Sequence, residues 1–322
     1  MPPGSIQEIQ LGLVKEVVRG TLVTPAVIFH AIAGDSNLDF TPEYIDDETK
    51  RGVNANFPAE RGVNNGAGVL KAPLRASDIG EYLQMAMGSP SSALITTALG
   101  FRHTYDGGAI NLALPTYSAH LNRGATLGVK AATMLSVNQL TISQDEVGLM
   151  QWEAAVLFQN ELAGNIGAPS FASASEEFAP GQAQFKIDTV AQPCVKTWSI
   201  VIDNNMLAQR AQNGSRNIKD IVNRGPQRIT GEALFYFDNL DERNKFLAGT
   251  ANQITIKATS EEIIEDAQAY DLEIDIPRAT WRAFPYGEDE GLFAAAAEFE
   301  GEYDIASSRL FRVELVNKKV AY

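Results

Sequence analysis

Seven residues, Tyr270-Asp-Leu-Glu-Ile-Asp-Ile276, restrict what this chain can fold into more than any others. Tyr270, Leu272, Ile274 and Ile276 alternate with Asp271, Glu273 and Asp275, the period of a strand with one face on a core and the other in water. The stretch that this strand opens, Tyr270–Val316, is β-rich to its end, where Phe311, Val313 and Leu315 form the inward row of a last strand. Leu112–Phe158 reads as a degenerate copy of it, closing on the alternation Trp152, Ala154, Val156, Phe158. A copy of that length makes the chain two versions of one module.

Smaller signals keep the same order. Arg61-Gly62 followed by Gly68 matches Arg224-Gly225 followed by Gly231, at an offset of 163 (224 − 61). Ser77 is placed to cap a helix with Ile79, Leu83 and Met87 on one face and Gly88 as its stop. Asn239 is placed likewise, with Glu242 three residues on and Gly249 at the end. Ahead of each helix lies a long polar stretch, Asp46–Gly68 and Asn204–Arg228, read as loops. Gly164–Pro180 has the Gly, Ala, Ser and Pro content of a linker, which divides the chain into 1–168 and 169–322. Elsewhere, Leu11, Val14 and Val18 suggest a short N-terminal helix, and Val27–Ala33 with Asn37–Ile45 suggests a hairpin. The fold class is mainly β (α+β).

The net charge of −14 argues against general affinity for nucleic-acid phosphates and suits a surface that must not hold DNA. A single cysteine, Cys194, excludes an internal disulfide framework and a thiolate metal cluster. With neither a signal segment nor an apolar run of about 18 residues, the chain is expected to stay in the cytoplasm where it is made.

Chemistry is hard to find. His30, His103 and His120 lack the spacing of a metal pair or a nucleophile motif. Glu232 with Glu273 or Asp275 is a conceivable glycosidase pair, but Glu273 and Asp275 fall where alternation places solvated residues. Gly287-Glu288-Asp289-Glu290-Gly291 lacks calcium-loop spacing and suits a charged hairpin tip. Trp152 and Trp198 sit in apolar rows of their strands, and Trp281 is open to either reading. The expectation is no enzyme, no cofactor and no metal.

Gly20-Thr-Leu-Val-Thr-Pro25, Leu114-Pro-Thr-Tyr-Ser118, Trp198-Ser-Ile-Val-Ile-Asp-Asn-Asn205 and Arg228-Ile-Thr-Gly-Glu-Ala233 together resemble the major tail tube proteins of long-tailed, siphovirus-like bacteriophages. The resemblance implies two tandem tail-tube-like β-sandwich or barrel modules, each with a flanking α-helix and a long loop. It implies copies that join edge to edge into rings, rings that stack into a hollow tube in the virion tail after assembly in the host cytoplasm, and DNA that passes the lumen without specific binding. Two modules per chain imply a homotrimer with pseudo-sixfold symmetry, the alternative being a homohexamer. Tape measure and tail terminator or tip proteins are the implied further partners, with no membrane. The long loops would contact the next ring through Arg51, Asn54, Asn56, Phe57, Glu60, Arg61, Arg210, Arg216, Lys219 and Arg224. Asp271, Glu273 and Asp275 would form an acidic wall. A carbohydrate-binding or glycoside-hydrolysing β-sandwich surface protein is the other reading of the residues.

Overall fold

Two strands of 16 residues each act as spines, one in each half of the chain. The computed structural model of the protein describes residues 9–26, 28–47, 49, 58–108, 114–171, 176–237 and 239–322, the side chain of Ala125 apart. Its first half holds β1 (Ile9–Lys15), β2 (Ile28–His30), β3 (Asn37–Ile45), β4 (Glu60–Pro73), α1 (Ile79–Met87), β5 (Ser91–Leu94), β6 (Phe101–Asp106), β7 (Tyr117–Arg123), the single turn α2 (Gly124–Leu127), β8 (Val129–Gln144), β9 (Gln151–Phe158) and β10 (Asn160–Ala163). The second holds β11 (Ala183–Ile187), β12 (Val190–Ala191), β13 (Val195–Asp203), β14 (Met206–Gln209), β15 (Asp220–Asn223), β16 (Arg228–Tyr236), α3 (Asp241–Ala248), β17 (Asn252–Glu265), β18 (Gln268–Ala283), β19 (Gly287–Asp289), β20 (Leu292–Gly301) and β21 (Arg312–Asn317).

Both halves pair their strands the same way, and every ladder is antiparallel. The spine β8 takes β7, β9 and β10, as β18 takes β17, β20 and β21. Next to β9 come β4 and then β3; next to β20 come β16 and then β13. β1 lies on β7 and carries β2, as β11 lies on β17 and carries β12. The register repeats too: Gly68 faces Val156 and Leu38, and Gly231 faces Phe299 and Ile200. In this scheme β9 occupies the place of β20, and β10 that of β21. Laying Leu112–Phe158 on Tyr270–Val316 therefore slips by one strand, because period-two alternation marks a strand without naming its partner.

The halves are sewn together twice. β13 pairs with the last part of β8, from Trp198 opposite Gln144 to Asp203 opposite Gln139. β6 of the first half lies beside β21 of the second, with Arg312 opposite Asp106 and Asn317 opposite Phe101. One strand network and one hydrophobic core consequently run through both halves, from Leu11 and Trp152 to Trp281 and Phe311.

Several local expectations give way to longer-range pairing. Residues 9–15 form strand β1 rather than a helix: Leu11 and Leu13 alternate into the core and Val18 is exposed. β2 joins β1 and β3 joins β4, so the expected hairpin of β2 with β3 is not made; Val27 lies outside the described residues. Of the stretch read as one loop, Glu60–Gly68 is the first part of β4. The second stretch contains the β14–β15 ribbon. The helix stops Gly88 and Gly249 are as read, both with positive φ. Neither helix has a side-chain cap: α3 starts from Leu240, with Asn239 one residue earlier accepting from the Asp241 N–H at 2.9 Å, and α1 starts from Asp78, while the Ser77 N–H donates to Glu176. Glu242 turns instead to Lys245 and to the indole N–H of the buried Trp281.

Candidate assembly surfaces

The row Asp271, Glu273 and Asp275 is paired within the chain. Asp275 accepts from Arg309 at 2.5 Å and Gln253 at 2.6 Å; Glu273 meets Lys257 at 3.2 Å; Asp271 accepts from Gln268 at 3.1 Å. Across the strands the charged members of the row Lys186, Thr255, Asp275, Arg312, Asp106 alternate in sign, and Arg312 donates twice to Asp106, at 2.7 and 3.2 Å. Glu232 lies opposite Glu298, which lies opposite Ala283 at the far end of β18. Eight residues separate Ala283 from Asp275, roughly 26 Å of strand, so the conceivable catalytic pair shares no cleft.

A second polar face has fewer partners. It spans the strands that join the halves, with Lys71, Glu153, Thr141, Val201, Thr230 and Glu300 in one cross-strand row. The adjacent row is Gln151, Ser143, Ser199, Glu232 and Glu298. Arg282 holds Glu300 at 3.0 Å, but Glu232 and Glu298 stand directly opposite each other with no ion pair among the described residues. Sequence reading missed this face because its rows exist only once β8 and β13 are paired. Its local signal was the outward placement of Thr230 and Glu232, and of Glu298 and Glu300, on alternating strands.

Of the loop residues, Arg51, Asn54, Asn56 and Phe57 lie outside the described residues. Glu60 and Arg61 begin β4 opposite Ile45 and Tyr44, and Arg61 donates to Asn64 at 3.1 Å. The second loop is folded onto the first half. Arg210 donates to the Asn64 carbonyl at 2.9 Å and to the Asn65 side chain; the Arg216 carbonyl accepts from the Asn64 N–H at 2.9 Å. The Lys219 carbonyl accepts from Gln159 at 3.3 Å, Arg19 reaches Asp220 at 2.8 Å, and Arg224 stays near its own strand, on Asn205. Ile218 and Ile221 pack under this ribbon on Met134.

Besides the outer sides of the short strands β2, β5, β10 and β12, two longer edges carry no strand among the described residues: the side of β3 away from β4, and the side of residues 283–289 away from β20. Each has an arginine on a backbone carbonyl instead, Arg123 on Leu38 and Arg243 on Phe284. Near the second edge Tyr286 and Phe293 are 61 and 78 % exposed. The acidic tip 287–291 is met by Lys196, which reaches Glu146, Asp289 and Glu290 within 3.5 Å. No group of three or more His, Cys, Asp or Glu side chains placed to hold a metal occurs among the described residues.

The histidines are interior. His103 bonds Ser92 and Asn317, and His120 bonds the Val23 carbonyl. His30 is fully buried 3.6 Å from Asp78, just ahead of α1. Burial pushes His30 down to about 3 and Asp78 up to about 7. Behind α1, Lys319 bonds the buried Glu81, and the Tyr322 ring fills the space a side chain at Gly80 would take.

A sheet that runs through both halves of the chain, with polar faces and open edges, makes this a mainly β protein. The family model described as Phage tail tube protein matches residues 6–300, and the chain belongs to that family. Membership makes it a structural subunit of the tail tube, located in the virion tail. No curated protein matches the chain, and no helix among the described residues is long and apolar enough to cross a membrane.

Proposed function

We propose that copies of this protein close into rings, that the rings stack into the tube wall, and that the genome passes along the lumen. The observation that supports this is the repeated pairing scheme, in which the second half adds β13 to β8 of the first; one subunit would add to another in the same way. Each chain then counts as two modules, divided near Gly164–Pro180, and three copies make six. A heterologous contact repeated three times closes a ring without leaving an open edge. The lumen wall in this reading is the face with Glu153, Glu232, Glu298 and Glu300, since the unpaired carboxylates of Glu232 and Glu298 repel phosphate more effectively than the paired row at Asp271, Glu273 and Asp275. The loop carrying Arg51, Asn54, Asn56 and Phe57, with Glu60 and Arg61 at its base, would reach the adjacent ring. Tape measure and terminator or tip proteins would meet the ring stack at its core and ends. Electron microscopy of the concentrated protein tests this: rings or tubes of uniform width with three copies per ring are expected, whereas six full subunits per ring would sink the two-module count and monomers at every concentration the whole reading.

A further inference from the structure

The junction inside the chain fixes what a junction between chains must look like, provided the ring reading above holds. At the internal junction, Leu140 lies opposite Ile202 and Ile142 opposite Ile200. Each of these four positions has a counterpart on an edge that is open in the single copy.

The counterparts follow from register. β13 and β3 occupy the same place beside β16 and β4: Ile200 faces Gly231 and Leu38 faces Gly68, so Ile200 and Ile202 correspond to Leu38 and Phe40. On the spines, the ladder to β9 is irregular between Val137 and Gln139, and the ladder to β20 is irregular between Trp281 and Ala283. Those irregularities lie 144 positions apart (281 − 137), and beyond them Ser143 faces Gln151 as Gly287 faces Ala294. Leu140 and Ile142 therefore correspond to Phe284 and Tyr286. Ile142 is fully buried beneath β13, while Tyr286 is 61 % exposed. Residues 140–142 are strand with a neighbour on both sides, while residues 284–286 belong to no strand. Pro285, with no N–H to give, stands in that gap.

We infer that the open edge of β3 in one copy pairs antiparallel with residues 283–288 of the next copy, Leu38 opposite Tyr286 and Phe40 opposite Phe284. The occupant is a second copy of this chain because the edge repeats a contact the chain already makes with itself, side for side and residue for residue. In such a pair the Arg123 and Arg243 side chains now resting on the Leu38 and Phe284 carbonyls give way to main-chain partners. Tyr286 and the half-buried Phe40 would then be covered as Ile142 and Ile200 are, beside the already buried Leu38 and Phe284, and an unpaired edge of this kind is a ready template for a strand.

Paired cysteines test the register. In a Cys194→Ser parent, Asn37→Cys with Gly287→Cys, and separately Thr41→Cys with Ala283→Cys, place thiols directly opposite across the contact. The crossed pairs, Asn37→Cys with Ala283→Cys and Thr41→Cys with Gly287→Cys, stand four residues out of register, roughly 13 Å along the strands, too far for a disulfide. Rings of each variant and of the parent are imaged, oxidised and run on a denaturing gel. Inter-chain disulfides in both in-register pairs, at least tenfold above the crossed pairs and in a ladder stopping at three chains, are expected. Imaged rings that cross-link in neither in-register pair, or equally in the crossed pairs, overturn the pairing and leave the tube reading standing. A parent that forms no rings at any concentration overturns the tube reading, and this contact with it.

Discussion

Asp78 and His30 share a buried position ahead of α1, and their shifts oppose each other. The folded pair keeps one proton from about pH 3, where His30 loses its charge, to about 7, where Asp78 ionises. The unfolded pair also holds one proton between the ordinary values of 3.8 and 6.5. Proton counts match in that window, so the pair adds no slope to stability there. Asp78→Asn removes one member and leaves His30, whose folded pKa is depressed; below about pH 6.5 the unfolded chain then binds a proton the folded chain does not. The variant should lose stability on acidification from pH 6.5 towards 4, by up to about 1.4 kcal/mol per pH unit relative to wild type. Urea denaturation at several pH values measures this, and a deficit that stays constant with pH would show that the two groups do not offset each other. None of this was legible in the sequence, where His30 was one of three scattered histidines and Asp78 lay beside a supposed cap.

The β14–β15 ribbon is the element whose place in the fold is most separable. Its apolar hold is Ile218 and Ile221 on Met134, supplemented by Leu157, Met206 and Ala208, and this cluster stands apart from the main core. Ile221→Ala removes buried side-chain volume worth about 2–4 kcal/mol in a rigid site, but a ribbon that can open alone loses its own protection first. Amide exchange should rise across 206–209 and 220–223 with little change in β8 or in the thermal midpoint; a fall in global stability of several kcal/mol would make the ribbon part of the cooperative core. Elements of this kind divide what was readable from what was not. β18 and β9 announced themselves by alternation, α1 by apolar spacing, α3 by Asn239 and Glu242 at its start, and both helices by the glycines that end them, all of which are local signals. The ribbon has four apolar residues whose partners at Met134 and Leu157 are far off in the chain, so its sequence reads as a polar loop. The supposed β2–β3 hairpin failed for the same reason: each strand takes a partner that no turn specifies.

At the scale of the whole molecule the distribution of charge matters more than its sum. With 40 acidic and 26 basic residues the chain could spread its excess evenly; instead the β17–β18–β21–β6 face gives its opposed carboxylates cations, Lys257 for Glu273 and Arg102 for Glu314, and the face of the joining strands leaves Glu232 against Glu298 with none among the described residues. Like charges directly opposite on neighbouring strands cost about 0.2–1 kcal/mol, a cost the fold bears without a compensating bond. Glu298→Gln should therefore raise the stability of the lone subunit by up to about 1 kcal/mol, read as a higher thermal midpoint. If this face lines the lumen, the charge reversal Glu232→Lys with Glu298→Lys should leave rings and tubes intact, because neither residue belongs to an open edge. It should nevertheless slow genome ejection, since lysines facing the passing duplex recruit phosphates by releasing counterions. The retardation should be strongest at low salt and fade as salt rises, which separates it from a steric block. Ejection at the wild-type rate at every salt concentration, from tubes of normal appearance, would take this face out of the lumen and leave the face of Asp271, Glu273 and Asp275 as the wall that meets DNA.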